Sequence, residues 1–200
     1  WPEGRDADPF CGIYAAHFLV EARADGYPVS DQTLAELHAM LENLPSDLAP
    51  ALQAHAAMVQ SLAGKPDFAR MSRLLEQAAQ LPPEARFLLA RALLRAGERE
   101  TGRRLVEETG IPGGLREAAF GTLAWLEIDP AAAQAAACCQ AVQRRRRAIG
   151  HWGTTQDNAL ALLALGEYAR HAPAAPQSVA PRFTWAGGAF ATGPTNLVAW

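Results

Sequence analysis

Helix-breaking residues fall at short intervals from the start of this chain to about residue 171, and they fix where its helices can begin and end. Asp8 and Pro9 precede the periodic run Phe10, Ile13, Tyr14, His17 and Phe18, which stops near Gly26. Asp8 suits the N-cap because its carboxylate can accept from a free first-turn N–H. Pro9 has no N–H to leave unsatisfied, and Gly26 suits the exit. Ser30 caps a second run, with Leu34, Leu37, Leu41 and Leu44 at helical spacing, and Pro45 ends it. Ser46 is expected to restart a third through Leu48, Leu52, His55, Val59 and Leu62, ending at Gly64. Further helices are expected at about 66–80, 83–96, 99–109, 114–127, 130–147 and 155–170. Asp129 as cap with Pro130 at the first helical position marks the start of the eighth.

Nine helices with short loops make an α-hairpin array, in which successive helices are antiparallel neighbours. The array either runs open as a solenoid or closes into a toroid. Arg86 to Glu108 reads as one tetratricopeptide-type hairpin, but no fixed repeat period extends it. About one residue in five is alanine, which favours close-packed helices. The composition changes at about residue 173. A Pro-rich stretch after His171 is followed by short aromatic and β-branched runs, Phe183-Thr184-Trp185 and Leu197-Val198 among them, separated by Gly and Pro. The expected organisation is therefore all-α over 1–172, with 173–200 as a linker and the first strands of a β domain.

Charge and composition exclude several classes. The 200 residues include 18 basic and 21 acidic side chains, for a net charge of −3, which argues against a nucleic-acid surface. Half the residues are hydrophobic and 20% are charged, enough to bury a core. No run has the apolar length of a membrane span. Cys11, Cys138 and Cys139 cannot build a disulfide framework, and Cys138-Cys139 has no Cys-x-x-C partner for a zinc site. All three are read as small buried apolar residues. The chain opens at Trp1 and is read as a piece of a longer protein.

Several polar residues have structural readings. His17 and His55 fall on apolar stripes and are expected to be hydrogen-bonded core histidines. Asp6 and Asp8 beside Arg5 could suggest a carboxylate pair, but Asp8 is committed to capping. Arg144 to Arg147 sit where basic side chains complement a helix C-terminus; contact with anionic lipid or an acidic protein face is the alternative. Thr154 and Asp157 resemble a capping box at the start of the last helix, and Trp152 is placed to pack where that helix begins. No residue is assigned to catalysis, to a cofactor or to a metal.

Two segments carry a resemblance to a known family. The first runs from Trp1-Pro2-Glu3-Gly4 through Cys11-Gly12-Ile13-Tyr14 to Val29. The second is Gly150-His151-Trp152-Gly153-Thr154-Thr155-Gln156-Asp157-Asn158, continuing to Tyr168. Both resemble the thioester-domain region of bacterial alpha-2-macroglobulins. The resemblance covers about residues 1–172 and is specific in those two segments. It implies an α/α toroid inserted in a β-sandwich of the CUB type, which fits the strand-like tail. Trp1, Trp152, Thr154, Thr155, Gln156 and Asp157, all within those two segments, are read as packing or interface positions. The resemblance also implies a periplasmic or cell-envelope protein, often a lipoprotein anchored through its N-terminus, that traps proteases and packs this region against adjacent β domains. It implies no cofactor and no nucleic-acid partner. The family's covalent chemistry uses an internal thioester in a Cys-x-Glu-Gln motif, an acyl donor kept from water until release. Cys11 continues as Gly-Ile-Tyr, and Cys138-Cys139-Gln140 lacks the order, so that motif is expected upstream of Trp1.

Two other classes compete. Terpene cyclases and protein prenyltransferases are α/α toroid enzymes with aromatic helix starts similar to Gly150-His151-Trp152, but a cyclase needs an Asp-rich motif that this sequence lacks. A tetratricopeptide-like peptide-binding scaffold would need a regular repeat.

Overall fold

The computed structural model describes residues 8–110, 113–171, 178–179, 182–185, 188–191 and 195–196. Trp1, Arg5 and Asp6 lie outside the described residues. Among the described residues there are nine α-helices: α1 (Pro9–Ala24), α2 (Asp31–Glu42), α3 (Pro50–Leu62), α4 (Phe68–Glu76), α5 (Pro83–Arg95), α6 (Arg99–Thr109), α7 (Leu115–Ile128), α8 (Ala133–Arg144) and α9 (Thr155–His171). Four short strands follow, β1 (Ser178–Val179), β2 (Arg182–Trp185), β3 (Gly188–Ala191) and β4 (Thr195–Asn196). Strands β2 and β3 pair antiparallel with Phe183 opposite Phe190, and β1 pairs antiparallel with β4.

Side-chain caps fix the starts of α1, α2 and α4. The Asp8 carboxylate accepts from Cys11 N at 2.9 Å, with Pro9 in the first turn. Ser30 Oγ accepts from Thr33 N at 3.0 Å, and Asp67 Oδ1 from Arg70 N at 2.9 Å.

Three boundaries differ from the expectation. The third helix starts at Pro50, not Ser46. Proline biases the residue before it away from helical geometry, and Ala49 is extended with ψ 135°. The Gln53 side chain then bonds the Ser46 and Leu48 carbonyls that an earlier start would have used. The fourth helix is a short α4 followed by a 3-10 turn at Ala78–Gln80. The eighth runs from Ala133 to Arg144 instead of 130–147. Asp129 does not cap it: its Oδ1 accepts from Ala131 N two residues on, a local turn, while its own N–H closes α7 on Trp125 O.

The helices form two layers. Each odd-numbered helix packs on the next odd-numbered one, from α1 through α3, α5 and α7 to α9, and each even-numbered helix packs on the two that flank it. Residues from the last turns of α1, α3, α5, α7 and α9 surround one cavity of about 500 Å³, so the five run parallel and the even helices return between them. The core is centred on α3, α5 and α7, where Met58, Phe87, Leu88, Leu89 and Phe120 are completely or almost completely buried.

Two glycines permit close approach. A Cβ on Gly102 of α6 would meet Leu94 Cγ at 2.8 Å and the Ala90 carbonyl oxygen at 3.0 Å, so α6 can lie this near α5 only without a side chain there. A Cβ on Gly121 of α7 would meet the Phe87 ring at 3.2 Å and Cys138 Sγ at 3.3 Å.

Cysteine behaviour splits. Cys138 and Cys139 are buried, and burial, with Cys139 beside it, pushes the Cys138 thiol up to about 11. Cys11, expected inside, is exposed, because α1 turns Ile13, Ala16 and His17 inward and position 11 away.

Candidate functional site: the junction of α1, α7 and α9

The two segments singled out in the sequence lie at opposite ends of the helical region, yet one side chain joins them. Arg116, in the first turn of α7, sends Nη1 to the Tyr14 hydroxyl of α1 at 3.3 Å. Its Nε donates to Asp157 Oδ1 at 3.1 Å and its Nη2 to Gln156 Oε1 at 3.1 Å, both on α9. Burial raises the Asp157 carboxyl, but the bonds from Arg116 and Thr154 outweigh it and hold the group below its ordinary value. Glu84, at the start of α5, moves the other way: burial raises it, and Glu117 and Asp157 add to the rise against Arg116.

The start of α9 is closed by its own side chains. Asp157 N donates to Thr154 Oγ1 at 3.1 Å, and Thr154 N to Asp157 Oδ2 at 3.3 Å, the reciprocal pattern of a capping box with Asp in the Glu position. Trp152 N donates to Asn158 Oδ1 at 2.8 Å, and its indole Nε1–H to the Val142 carbonyl of α8 at 2.8 Å. That ties the segment before α9 to α8. Thr155 is the exposed first residue of α9.

At the opposite end of the same helices, Arg170 of α9 reaches the Asp25 carboxylate at the C-cap of α1, at 3.1 and 3.2 Å. Arg91 of α5, almost fully buried, donates through Nε and Nη2 to Glu127 Oε1 of α7, at 3.0 and 2.8 Å, and Arg95 joins at 3.1 Å. Both pairs border the cavity ringed by the helix C-termini.

Between the two ends lies a buried polar chain. His55 Nε2 of α3 and His17 Nδ1 of α1 are 3.0 Å apart, a hydrogen bond whose donor is set by the tautomers of the two rings. His17 Nε2 lies 3.4 Å from Glu21 Oε1. The rings of Tyr14, His17 and Phe120 all meet the His55 ring edge-on. Burial holds the His55 pKa well below the usual histidine range, and the charges of His17, Arg91 and Arg116 lower it further. Burial raises Glu21, but the hydrogen bond and charge of His17 with those of Arg91 and Arg95 leave it below its ordinary value.

No group of three or more His, Cys, Asp or Glu side chains is placed to hold a metal ion among the described residues, and no described helix is long and apolar enough to cross a membrane.

Arg116 is not singled out in the sequence, and Tyr14 and Asn158 figure there only within the two resembling segments. The one signal for Arg116 is a basic side chain in the first turn of a mostly apolar helix; its partners lie 102 and 41 residues away, at Tyr14 and Asp157.

Among solved structures, the chain is similar to native alpha-2-macroglobulin from Escherichia coli, spanning domain MG7 to the C-terminus. Identity is 16%, the match covers 97% of this chain and 34% of that one, and the TM-score is 0.65. It is also similar to trypsin-activated alpha-2-macroglobulin from Escherichia coli, at 17% identity, over 97% of this chain and 15% of that one, with a TM-score of 0.67. The chain has the fold of a segment of bacterial alpha-2-macroglobulin. It spans about a third or less of the length of these two structures. No protein-family model and no curated protein matches it.

Proposed function

We propose that this chain is part of the wall of a thioester-type α/α toroid domain in a bacterial alpha-2-macroglobulin-like protease trap, and that its role there is architectural. The observation that carries this reading is a match over 97% of the chain to both a native and a protease-activated macroglobulin. Two features support it. The segments that resemble the family, before Val29 and after Gly150, meet through Arg116 and through Arg170. The five parallel helices with returning outer helices form the arrangement from which an α/α toroid is built.

In this reading residues 1–172 belong to the toroid and 173–200 open the adjoining β-sandwich. The thioester, where the parent has one, lies outside this chain. The protein resides in the periplasm or cell envelope, with any membrane anchor at the parent's N-terminus. The chain supplies no catalytic group, and its partners are the neighbouring β domains and, through the parent, the trapped protease.

The test uses the intact protein that carries this chain, incubated with trypsin. Enclosure predicts that trypsin co-migrates with it, still cleaves a small chromogenic peptide and no longer digests a large protein. Trypsin that stays free and fully active on large substrates contradicts the reading. Methylamine then distinguishes the two forms of trap: release of one thiol per chain marks a covalent one, and no release marks trapping by enclosure alone.

A further inference from the structure

Four consecutive arginines, Arg144 to Arg147, close α8 and run into the loop before α9. Most other arginines of the helical region have a carboxylate partner, Arg91, Arg116 and Arg170 among them. None of these four forms an ion pair among the described residues.

The loop is built, not loose. Arg145 is anchored to the Ala141 carbonyl at 2.9 Å and to the Gly113 carbonyl across the α7 start. Arg146 donates to the Gly150 carbonyl at 3.3 Å, with its guanidinium 6.0 Å from the centre of the Trp152 ring. Arg147 N bonds the His151 carbonyl at 2.8 Å, and Gly150 N bonds the Arg147 carbonyl at 2.8 Å. Gly150 sits at φ +94°, a turn that few other residues could make. Trp152 is pinned at both its backbone and its indole nitrogen. The side chains of Arg144 and Arg147 are exposed, with no hydrogen bond among the described residues.

At the tip stands Ile149, 81% exposed, more than Phe18, Tyr27, Phe68 or Leu162. An aliphatic side chain held out by a fixed loop that also carries arginines with no carboxylate partner among the described residues has the composition of an interface anchor. Arginine is enriched in interface cores, and a preorganised loop loses little entropy on binding.

We propose that Arg144, Arg146, Arg147 and Ile149 form a docking surface for an acidic polypeptide segment in which carboxylates flank an apolar residue. Planar guanidinium forks match carboxylates, and the isoleucine requires an apolar contact beside them. A bilayer fits less well. The chain's net charge of −3 includes these four positive charges, so its other residues carry −7 and are repelled by an anionic membrane. This surface stands whether or not the protease-trap reading holds, because it rests on the loop alone.

The experiment uses the full 200-residue chain. Fluorescence anisotropy follows a labelled peptide of Glu and Asp residues around a central Leu, with its Gln/Asn counterpart as control. Vesicles of equimolar phosphatidylglycerol and phosphatidylcholine form the membrane arm. The acidic peptide is expected to bind and the control not to, with affinity falling as salt rises. The double variant Arg144→Glu/Arg147→Glu is expected to weaken binding by roughly tenfold or more. Ile149→Ser is expected to weaken it about fivefold while leaving the salt dependence unchanged. All three side chains are exposed, and far-UV circular dichroism checks that the variants fold. The proposal is overturned if the acidic peptide does not bind, if Ile149→Ser binds it as well as the parent chain does, or if the vesicles bind and the peptide does not.

Discussion

The middle of the inner layer and its two edges are held by different chemistry. Helices α3, α5 and α7 meet through fully buried apolar side chains, Phe87, Leu88, Leu89 and Phe120 among them, and through the side-chain-free approach at Gly121. Helices α1 and α9 meet each other through polar groups, Arg170 with Asp25 at one end and Arg116 with Tyr14, Gln156 and Asp157 at the other. Apolar contact is costly to open, because several large side chains each contribute on the order of 2 kcal/mol. A half-exposed ion pair contributes between about 0 and 1 kcal/mol. The middle is therefore built to stay shut, and the edges can part at modest cost. That suits the proposed toroid, in which both edges would meet further polypeptide.

The sharpest way to break this contrast is to weaken the middle. Phe120→Ala removes a fully buried ring that packs against His55, and is expected to destabilise the chain by about 3–5 kcal/mol in chemical denaturation. A loss below about 1 kcal/mol would mean that the middle is no tighter than the edges.

Acidification probes the link between the regions. His55 is neutral in the fold with its pKa held well below the usual histidine range, so the unfolded chain binds the proton more readily. Its contribution to stability is therefore present above the unfolded value of about 6.5 and is lost as pH falls towards the folded one. Tyr14, Glu21, Arg91 and Arg116 face the pair from α1, α5 and α7; Tyr14 and Arg116 are raised and Glu21 is lowered, so none of these three titrates between pH 7 and 5.5. The melting temperature is expected to drop through that window in the parent chain, and the double variant His17→Leu/His55→Phe should flatten the drop.

Arg116→Ala tests the edge junction itself. It removes three bonds from a site about two-thirds buried and is expected to cost about 1–2 kcal/mol, with Arg116→Lys recovering part of it. Arg170→Ala should have the smallest effect. Both partners are about half exposed, and the change in stability is expected to stay within about 0.5 kcal/mol and to vanish at high salt.

Helix positions were largely legible in the sequence, because caps and breakers act locally. Asp8, Gly26 and Ser30 lie where local rules put them. The misplacements have local causes of their own. Pro50 restricts the residue before it, and Asp129 prefers a two-residue turn to a cap. The core histidines were legible from their stripe positions, but not their mutual bond, since His17 and His55 are 38 residues apart. Cys11 illustrates the limit of composition: a residue type that is usually buried sits on the outward face of α1. The junction was half visible. Thr154 and Asp157 announced a cap, while Arg116, which connects that cap to α1, carries no signal beyond its charge.

Native-state hydrogen exchange, read helix by helix on the 200-residue chain with and without Arg116→Ala, tests the contrast most directly. Amides of α3, α5 and α7 are expected to exchange only through global unfolding. Those of α1 and α9 should open at lower free energy, and should open together and more readily in the variant. Equal protection across all five inner helices, unchanged by Arg116→Ala, would contradict an openable polar seam joining the two edges.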